Sequence, residues 1–439
     1  MKRILVIFDH ILTFRSYTET GTLVTLNQFA KISSIFVTAE NANYSLNYPH
    51  ENFTQVKLNQ FHRFILSVNS TRYWILTRKK SKSFASRIRS IIKGRREFYQ
   101  HKNKRVYKVP MSLLLGAIST LIPFKFLSFL LKPVAKSVFS NIRIGEFDIV
   151  LYVGTGGSMF LNDCIVDYIK KQQCKIVYKF ISENWDNITS KAVFNIHPDK
   201  LGVWGQNGIK YCEEIHGIDP KKVVSIGSPR VDFIAKRIKG TTQRNASNAT
   251  DIIFLGGSLD FERDYNFFSK VNDILAKESS ILNLLYLPHP KNYSDYLDRI
   301  QEQNSAFIFQ DSINALIKKS SISFQLPPLE FYVNLFGKCR FSISPLSTMN
   351  LESLLFGIPT IAIDFQENQL PDSPWATDVF EHFSELQKYD GVKIVRSDGQ
   401  LSSAIKELIN FGESIDIESI ADYDSAGSFE DRIMHFIND

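Results

Sequence analysis

Cysteine is scarce in this chain: Cys164, Cys174, Cys212 and Cys339 are the only four among 439 residues, scattered without metal-ligand spacing. Reduced thiols in a cytoplasmic protein are the simplest account of them. Long apolar runs are lacking too. The best stretch, Met111 to Leu131, is interrupted by Pro123 and Lys125, and its uncharged part is too short to cross a bilayer. The opening residues, MKRILVIFDH, hold an apolar run too short for a signal peptide. There is no internal repeat and no low-complexity tract. The glycine-rich GTGGS, residues 154–158, lacks both the Lys-Ser/Thr of a P-loop and the full dinucleotide fingerprint, and reads as a loop giving room to substrate. Acid is nearly missing from residues 78–108, where thirteen Lys or Arg stand against Glu97 alone. That stretch carries +12 in a chain of net charge +7, so the remainder sums to about −5 and the basicity is local. No nucleic-acid-binding motif accompanies it, so nucleic acid is not an expected partner.

What is present fits a globular α/β protein of two or three domains, with 44% hydrophobic and 22% charged residues and a heavy load of 35 Phe. Apolar runs read as buried strands at Arg3–Phe8, Ser34–Thr38, Phe147–Val153 and Lys175–Ile181. Leu201–Phe233 then alternates strand, helix and strand. The polar stretch Lys236–Asp251 marks a boundary, giving an N-terminal domain over 1–240 and a C-terminal domain over 250–439. In the second, strands are expected at Ile252–Leu255, Leu284–Leu287, Cys339–Ile343, Thr360–Asp364 and Val392–Val395. Helices are expected at Leu329–Gly337, Trp375–Gln387, Leu401–Phe411 and Phe429–Phe436.

The most informative stretch is 342–359, SISPLSTMNLESLLFGIP. A strand meets a loop with Ser347 and Thr348, and apolar residues at helical spacing run on to Gly357. The loop ends where the helix has free N–H groups and the positive end of its dipole, a place suited to phosphate. The same hydroxyls would serve equally as a plain helix cap. A second strand end favours the binding role: in NLLYLPHPKN, residues 283–292, His289 follows a strand, can donate to a phosphate oxygen, and is aimed by Pro290. A third, IIFLGGSLD, ends in Gly256 and Gly257, which let a ligand approach the backbone and also simply make turns.

A strand ending in His289-Pro290, then a Ser/Thr loop opening a helix with an early Glu352 and a Gly357-Ile358-Pro359 stop, resembles the nucleotide-binding half of GT-B glycosyltransferases. It is similar in particular to bacterial sialyltransferases and Kdo transferases, whose His-Pro and Ser-Ser/Thr motifs hold the CMP part of a CMP-sugar. The match covers roughly residues 250–365. It implies two Rossmann-like domains facing a cleft, a CMP-linked or otherwise UDP-linked donor on the second domain, and Glu352 accepting from ribose hydroxyls. No cofactor and no metal site is expected, because His289 and the helix start can stabilise the leaving-group charge. Teichoic-acid-type glycerophosphotransferases with a CDP-alditol donor show comparable motifs and are the main alternative. A non-catalytic nucleotide-binding scaffold and a UDP-sugar epimerase are two others.

In the first domain, SENWDNITSK, residues 182–191, gathers Glu183, Trp185, Asp186, Asn187 and Lys191 after a buried strand. Amides and carboxylates for hydroxyls, an aromatic face and a cation make a set that a sugar site needs, although a polar turn capping a helix would use similar residues. Asp186, Glu183 and Asp9 are the candidate bases for an acceptor hydroxyl. That acceptor is expected to be a glycan or a lipid-linked sugar of bacterial surface polysaccharide synthesis. Residues 78–139 form the expected docking insertion for an anionic inner membrane face, with Lys125, Lys132 and Lys136 on one side and Leu127, Leu131 and Val134 opposite. An ordinary core helix beside a solvated basic loop is the other reading.

Overall fold

The computed structural model describes residues 1–38, 53–89, 111–155, 161–172, 175–240, 249, 251–257, 261–278, 282–289, 328–365, 375–411, 415–420 and 427–439. Two compact units emerge, 1–229 with 421–439 and 230–420. Each is built on one parallel sheet.

The first unit's strands are β1 (Lys2–Phe8), β2 (Ala30–Thr38), β3 (Phe53–Lys57), β4 (Ile149–Gly154), β5 (Val177–Ser182), β6 (Lys200–Val203) and β7 (Val223–Ser225). They lie in the order β3-β2-β1-β4-β5-β6-β7, with β1 in parallel register against both β2 and β4. Helices cover both faces, which is why these strands read as unbroken apolar runs. Leu5 and Ile7 of β1 join one core with Val150 and Tyr152. Ile4, Val6 and Phe8 point into the other with Leu151 and Val153.

That second core also takes Phe429, Ile433, Phe436 and Ile437 from the C-terminal helix Phe429–Asn438. Burying such side chains stabilises by about 1.5–3 kcal/mol each before entropy is counted. Polar ties add to it. The buried Lys179 donates to the Phe436 and Ile437 carbonyls at the helix end, and Arg432 donates to Ile226 O at 3.0 Å. The C-terminal helix therefore belongs to the first unit, whereas the composition boundary had assigned everything beyond residue 250 to the second.

The second unit holds β8 (Asp251–Leu255), β9 (Asn283–Leu287), β10 (Cys339–Pro345), β11 (Thr360–Ile363) and β12 (Val392–Val395), ordered β12-β11-β10-β8-β9. Phe254, Phe341, Ile343, Ile361 and Val395 pack on helices Phe261–Glu278 and Asp398–Phe411. Trp375–Gln387, expected as one helix, is two short ones, Ala376–Val379 and Glu381–Leu386.

Residues 111–139 split into helix Met111–Ser119, helix Phe124–Leu127, a 3-10 turn Ser128–Leu131 and helix Lys132–Val138. Pro133 sits in the first turn of the last helix, where its missing N–H costs nothing. Lys125, Lys132 and Lys136 are exposed, whereas Leu131 and Val134 are core. Those apolar residues therefore hold the segment to its own unit. Among the described residues no helix is long and apolar enough to cross a membrane.

Candidate functional site

Strand order decides where ligands can sit in open parallel sheets. A crevice forms at the carboxyl ends where the order reverses, because the connections leave toward opposite faces on its two sides. In the second unit the reversal lies between β8 and β10, with β9 next to β8. The three strand ends singled out in the sequence are thus neighbours, and β8 is the middle one.

Their geometry is tight. Gly256 N donates to Leu287 O at 2.8 Å, and Gly257 N to Asp264 Oδ2 at 2.6 Å, in the first turn of the following helix. A side chain at Gly256 would put its Cβ 3.0 Å from Asp264 Oδ2 and Tyr286 Oη, and 3.1 Å from His289 N. At Gly257 it would lie 3.5 Å from Pro345. Gly256 is thus the tight position between the loops, whereas a side chain at Gly257 would meet only ordinary contacts. His289 is half-buried beside them, and Pro290 lies outside the described residues.

On the β10 side, Ser347 precedes helix Thr348–Leu355, and the Asn350 side chain accepts from Ser347 N at 2.8 Å. Ser347 Oγ is 3.2 Å from Ser344 Oγ. Ser347 caps the helix, and both it and Thr348 are half-buried. Glu352 is 1% exposed and accepts from Arg230 Nη2 at 2.5 Å through Oε1. Oε2 has no hydrogen-bond partner among the described residues. Burial raises this carboxyl, and Arg230 opposes the rise.

In the first unit the reversal lies between β1 and β4. Asp9, just past β1, accepts from Tyr152 Oη at 2.6 Å and from Thr155 N at 3.1 Å, both at the end of β4. Burial pushes its carboxyl up to about 6 in spite of those donors. Next along, Glu183 follows β5. Its Oε1 accepts from Ser228 Oγ at 2.8 Å and its carbonyl from Trp204 Nε1 at 2.8 Å. Asp186 instead pairs with Lys191 at 2.7 Å at the start of the short helix Asn187–Ser190. Trp185 is buried and Asn187 fully so, its amide donating to Ser182 Oγ at 3.0 Å. The 182–191 stretch thus divides into a buried carboxylate near the strand ends and a self-paired turn.

Asp264, Tyr286, Asn350, Tyr152 and Ser228 join these contacts without standing among the sequence candidates. Two have signals: Asp264 stands in an acidic first helical turn after a glycine pair, and Asn350 is the third residue after a Ser cap. The other three act through contacts distant in sequence.

No family model matches this chain, and no curated protein matches it. Solved structures do. S. aureus MnaA in a co-structure with UDP is 12% identical, with a TM-score of 0.56 over 100% of this chain and 97% of that one. A putative UDP-N-acetylglucosamine 2-epimerase from Listeria monocytogenes gives 12% and 0.56 over 100% and 98%. The UDP-GlcNAc 2-epimerase of Methanocaldococcus jannaschii, in complex with UDP-GlcNAc and UDP, gives 14% and 0.51 over 100% and 99%. At these identities the likeness shows the fold, two parallel-sheet α/β units in keeping with a two-domain GT-B protein.

Proposed function

We propose, from a chain with the fold of nucleotide-sugar enzymes, that it transfers a sugar from a nucleotide-sugar donor to a glycan or lipid-linked acceptor of a cell-surface polysaccharide. The observation that carries this reading is the convergence of Gly256, Gly257, His289 and the Ser347–Thr348 helix start at the β8/β10 reversal. In this reading His289 donates to the diphosphate or monophosphate, and the helix N-terminus stabilises its charge. Glu352, which the resemblance assigns to a ribose hydroxyl, is buried and held by Arg230. The UDP named for the fold neighbours adds weight to a UDP-linked donor beside the CMP-linked one implied by the His-Pro motif.

Transfer forms a bond from the acceptor oxygen to the anomeric carbon as the carbon–phosphate-oxygen bond breaks. The electron pair leaves with the phosphate, and the hydroxyl proton must go to a base. Asp9 suits that role best among the three carboxylates. A carboxyl raised to about 6 is ionised at neutral pH and more basic than an ordinary one, while Asp186 is held by Lys191. A lipid-linked acceptor places the enzyme at the inner face of the membrane.

A donor screen tests this. Nucleotide release from UDP-, CMP- or CDP-linked donors is expected only when acceptor is added, and His289→Ala should abolish it while leaving the melting temperature within a few degrees. The fold neighbours favour one second reading, epimerisation of a UDP-sugar. Appearance of the C2 epimer from UDP-GlcNAc alone, followed by proton NMR, would establish that reading in place of transfer.

A further inference from the structure

We infer that the outward faces of residues 111–130 form a membrane-insertion surface for anionic lipid, carried by the turn that Arg72 holds. The inference rests on the membrane-side reading above. It names a different surface from the one the sequence suggests, since Leu131 and Val134 are core.

Helix Met111–Ser119 holds no charged residue to mark an outer side, so its sequence does not announce an inner face. The structure supplies one. Leu113, Gly116 and Ser119 are buried, and a Cβ at Gly116 would come 2.9 Å from Thr71 Cβ in helix Gln60–Thr77. Met111, Leu114, Leu115 and Ile118, at the spacing of one helical face, therefore point outward and are exposed. Past this helix the chain turns, and Leu121 at the turn is 84% exposed. Arg72 fixes the turn: Nε donates to Ser119 O at 3.1 Å, Nη2 to Ile122 O at 3.2 Å, and the guanidinium lies over the Phe124 ring. Beyond it Phe126 and Phe129 are about two-thirds exposed, at 66% and 65%. Exposed apolar side chains gathered along one short segment are uncommon in a monomer, where a contiguous apolar patch marks an interaction site.

Charge selects the occupant. Exposed Lys125 and Lys132 neighbour the apolar side chains in the sequence, and exposed Lys136 and Arg143 follow. The sequence has no acid between Glu97 and Glu146. A second copy in a two-fold contact would set this patch against itself, lysine facing lysine, while the nearby carboxylates Asp167 and Glu146 are already paired with Lys171 and Arg3. An anionic bilayer offers hydrocarbon for Leu121, Phe126 and Phe129 and phosphate for the lysines, the combination that interfacial anchors use.

The test is co-sedimentation of the full chain, without donor or acceptor. Vesicles of phosphatidylcholine alone are compared with vesicles of equal parts phosphatidylcholine and phosphatidylglycerol. The wild type should pellet with the anionic vesicles only. Lys125→Glu/Lys132→Glu/Lys136→Glu should lower the partition coefficient about a hundredfold or more, each lysine near an anionic surface being worth about fivefold. Leu121→Ser/Phe126→Ser/Phe129→Ser, at solvent-exposed positions, should weaken binding comparably at an unchanged melting temperature. Equal pelleting with neutral vesicles, or undiminished binding by either triple variant, overturns the inference. So does light scattering that shows a wild-type dimer converted to monomer by the serine variant with vesicle binding intact. Because no turnover is read, failure here leaves the transferase reading standing, and an inactive transferase leaves this surface standing.

Discussion

Replacing Asp9 with Asn separates stability from activity, and the structure fixes both signs. In the native fold the Asp9 carboxyl is buried at the β1/β4 reversal and raised from 3.8 to about 6. A raised acid contributes stability that is fully present below its unfolded pKa and is lost as pH rises through the folded one. The difference between 3.8 and about 6 corresponds to about 3 kcal/mol. Asparagine has the same shape and no charge. Its carbonyl can keep the bond from Thr155 N, and the Tyr152 hydroxyl can turn to accept from its amide, so the fixed cost is about 1–2 kcal/mol at any pH. Asp9→Asn should therefore be less stable than wild type by about 1–2 kcal/mol near pH 4, and more stable by a similar amount near pH 8. The assay is urea denaturation of both proteins across that range. Transferase activity should move the other way: kcat/KM of the wild type rises through pH about 6, and the variant loses this limb and about 10²–10⁴-fold in rate. A stability difference that does not change with pH would falsify the raised carboxyl, and unchanged turnover would remove Asp9 from the chemistry.

Two further substitutions probe the second unit. Gly256→Val places branched carbon against Asp264, Tyr286 and His289 N and should weaken nucleotide binding at least tenfold by calorimetry; unaltered affinity would put the ligand elsewhere. Arg230→Met leaves the Glu352 carboxylate buried without its cation and should cost about 3–5 kcal/mol at pH 8. Burial alone then raises Glu352, so the loss should shrink toward pH 5, and Glu352→Gln on the same background should recover much of it at pH 8. A loss independent of pH would mean that water or another group solvates that carboxylate.

The parallel sheets were legible because strands buried on both faces are continuous apolar runs, and β1, β4, β8, β10 and β11 all announce themselves this way. Placement of the glycine pair, His289 and Ser347 at strand ends followed from it. Other parts were hidden for identifiable reasons. Helix Gln60–Thr77 carries no clear apolar period because its inner face is partly polar. Asn69 donates to the buried Asp163 at 2.8 Å and Arg72 to Asn195 at 2.7 Å, partners about a hundred residues away. A periodicity of apolar residues cannot register a face that is buried by hydrogen bonds. Trp185 illustrates the converse: an aromatic among amides suggests a sugar platform, but here its ring is buried. The C-terminal helix joins the first unit through the apolar core it shares with Ile4, Val6 and Phe8, which composition along the chain has no means of showing.

The most direct measurement of the central claim is a thermal shift of the full chain with UDP, CMP and CDP, run in parallel on wild type and His289→Ala. A ligand that binds only the folded state raises the melting temperature by mass action, by about 2.7 kcal/mol of stability at a hundred times its Kd. The predicted result is selective stabilisation of the wild type by UDP or CMP and its loss in the variant. Stabilisation by no nucleotide, or the same shift in both proteins, would contradict a nucleotide site at the β8/β10 reversal.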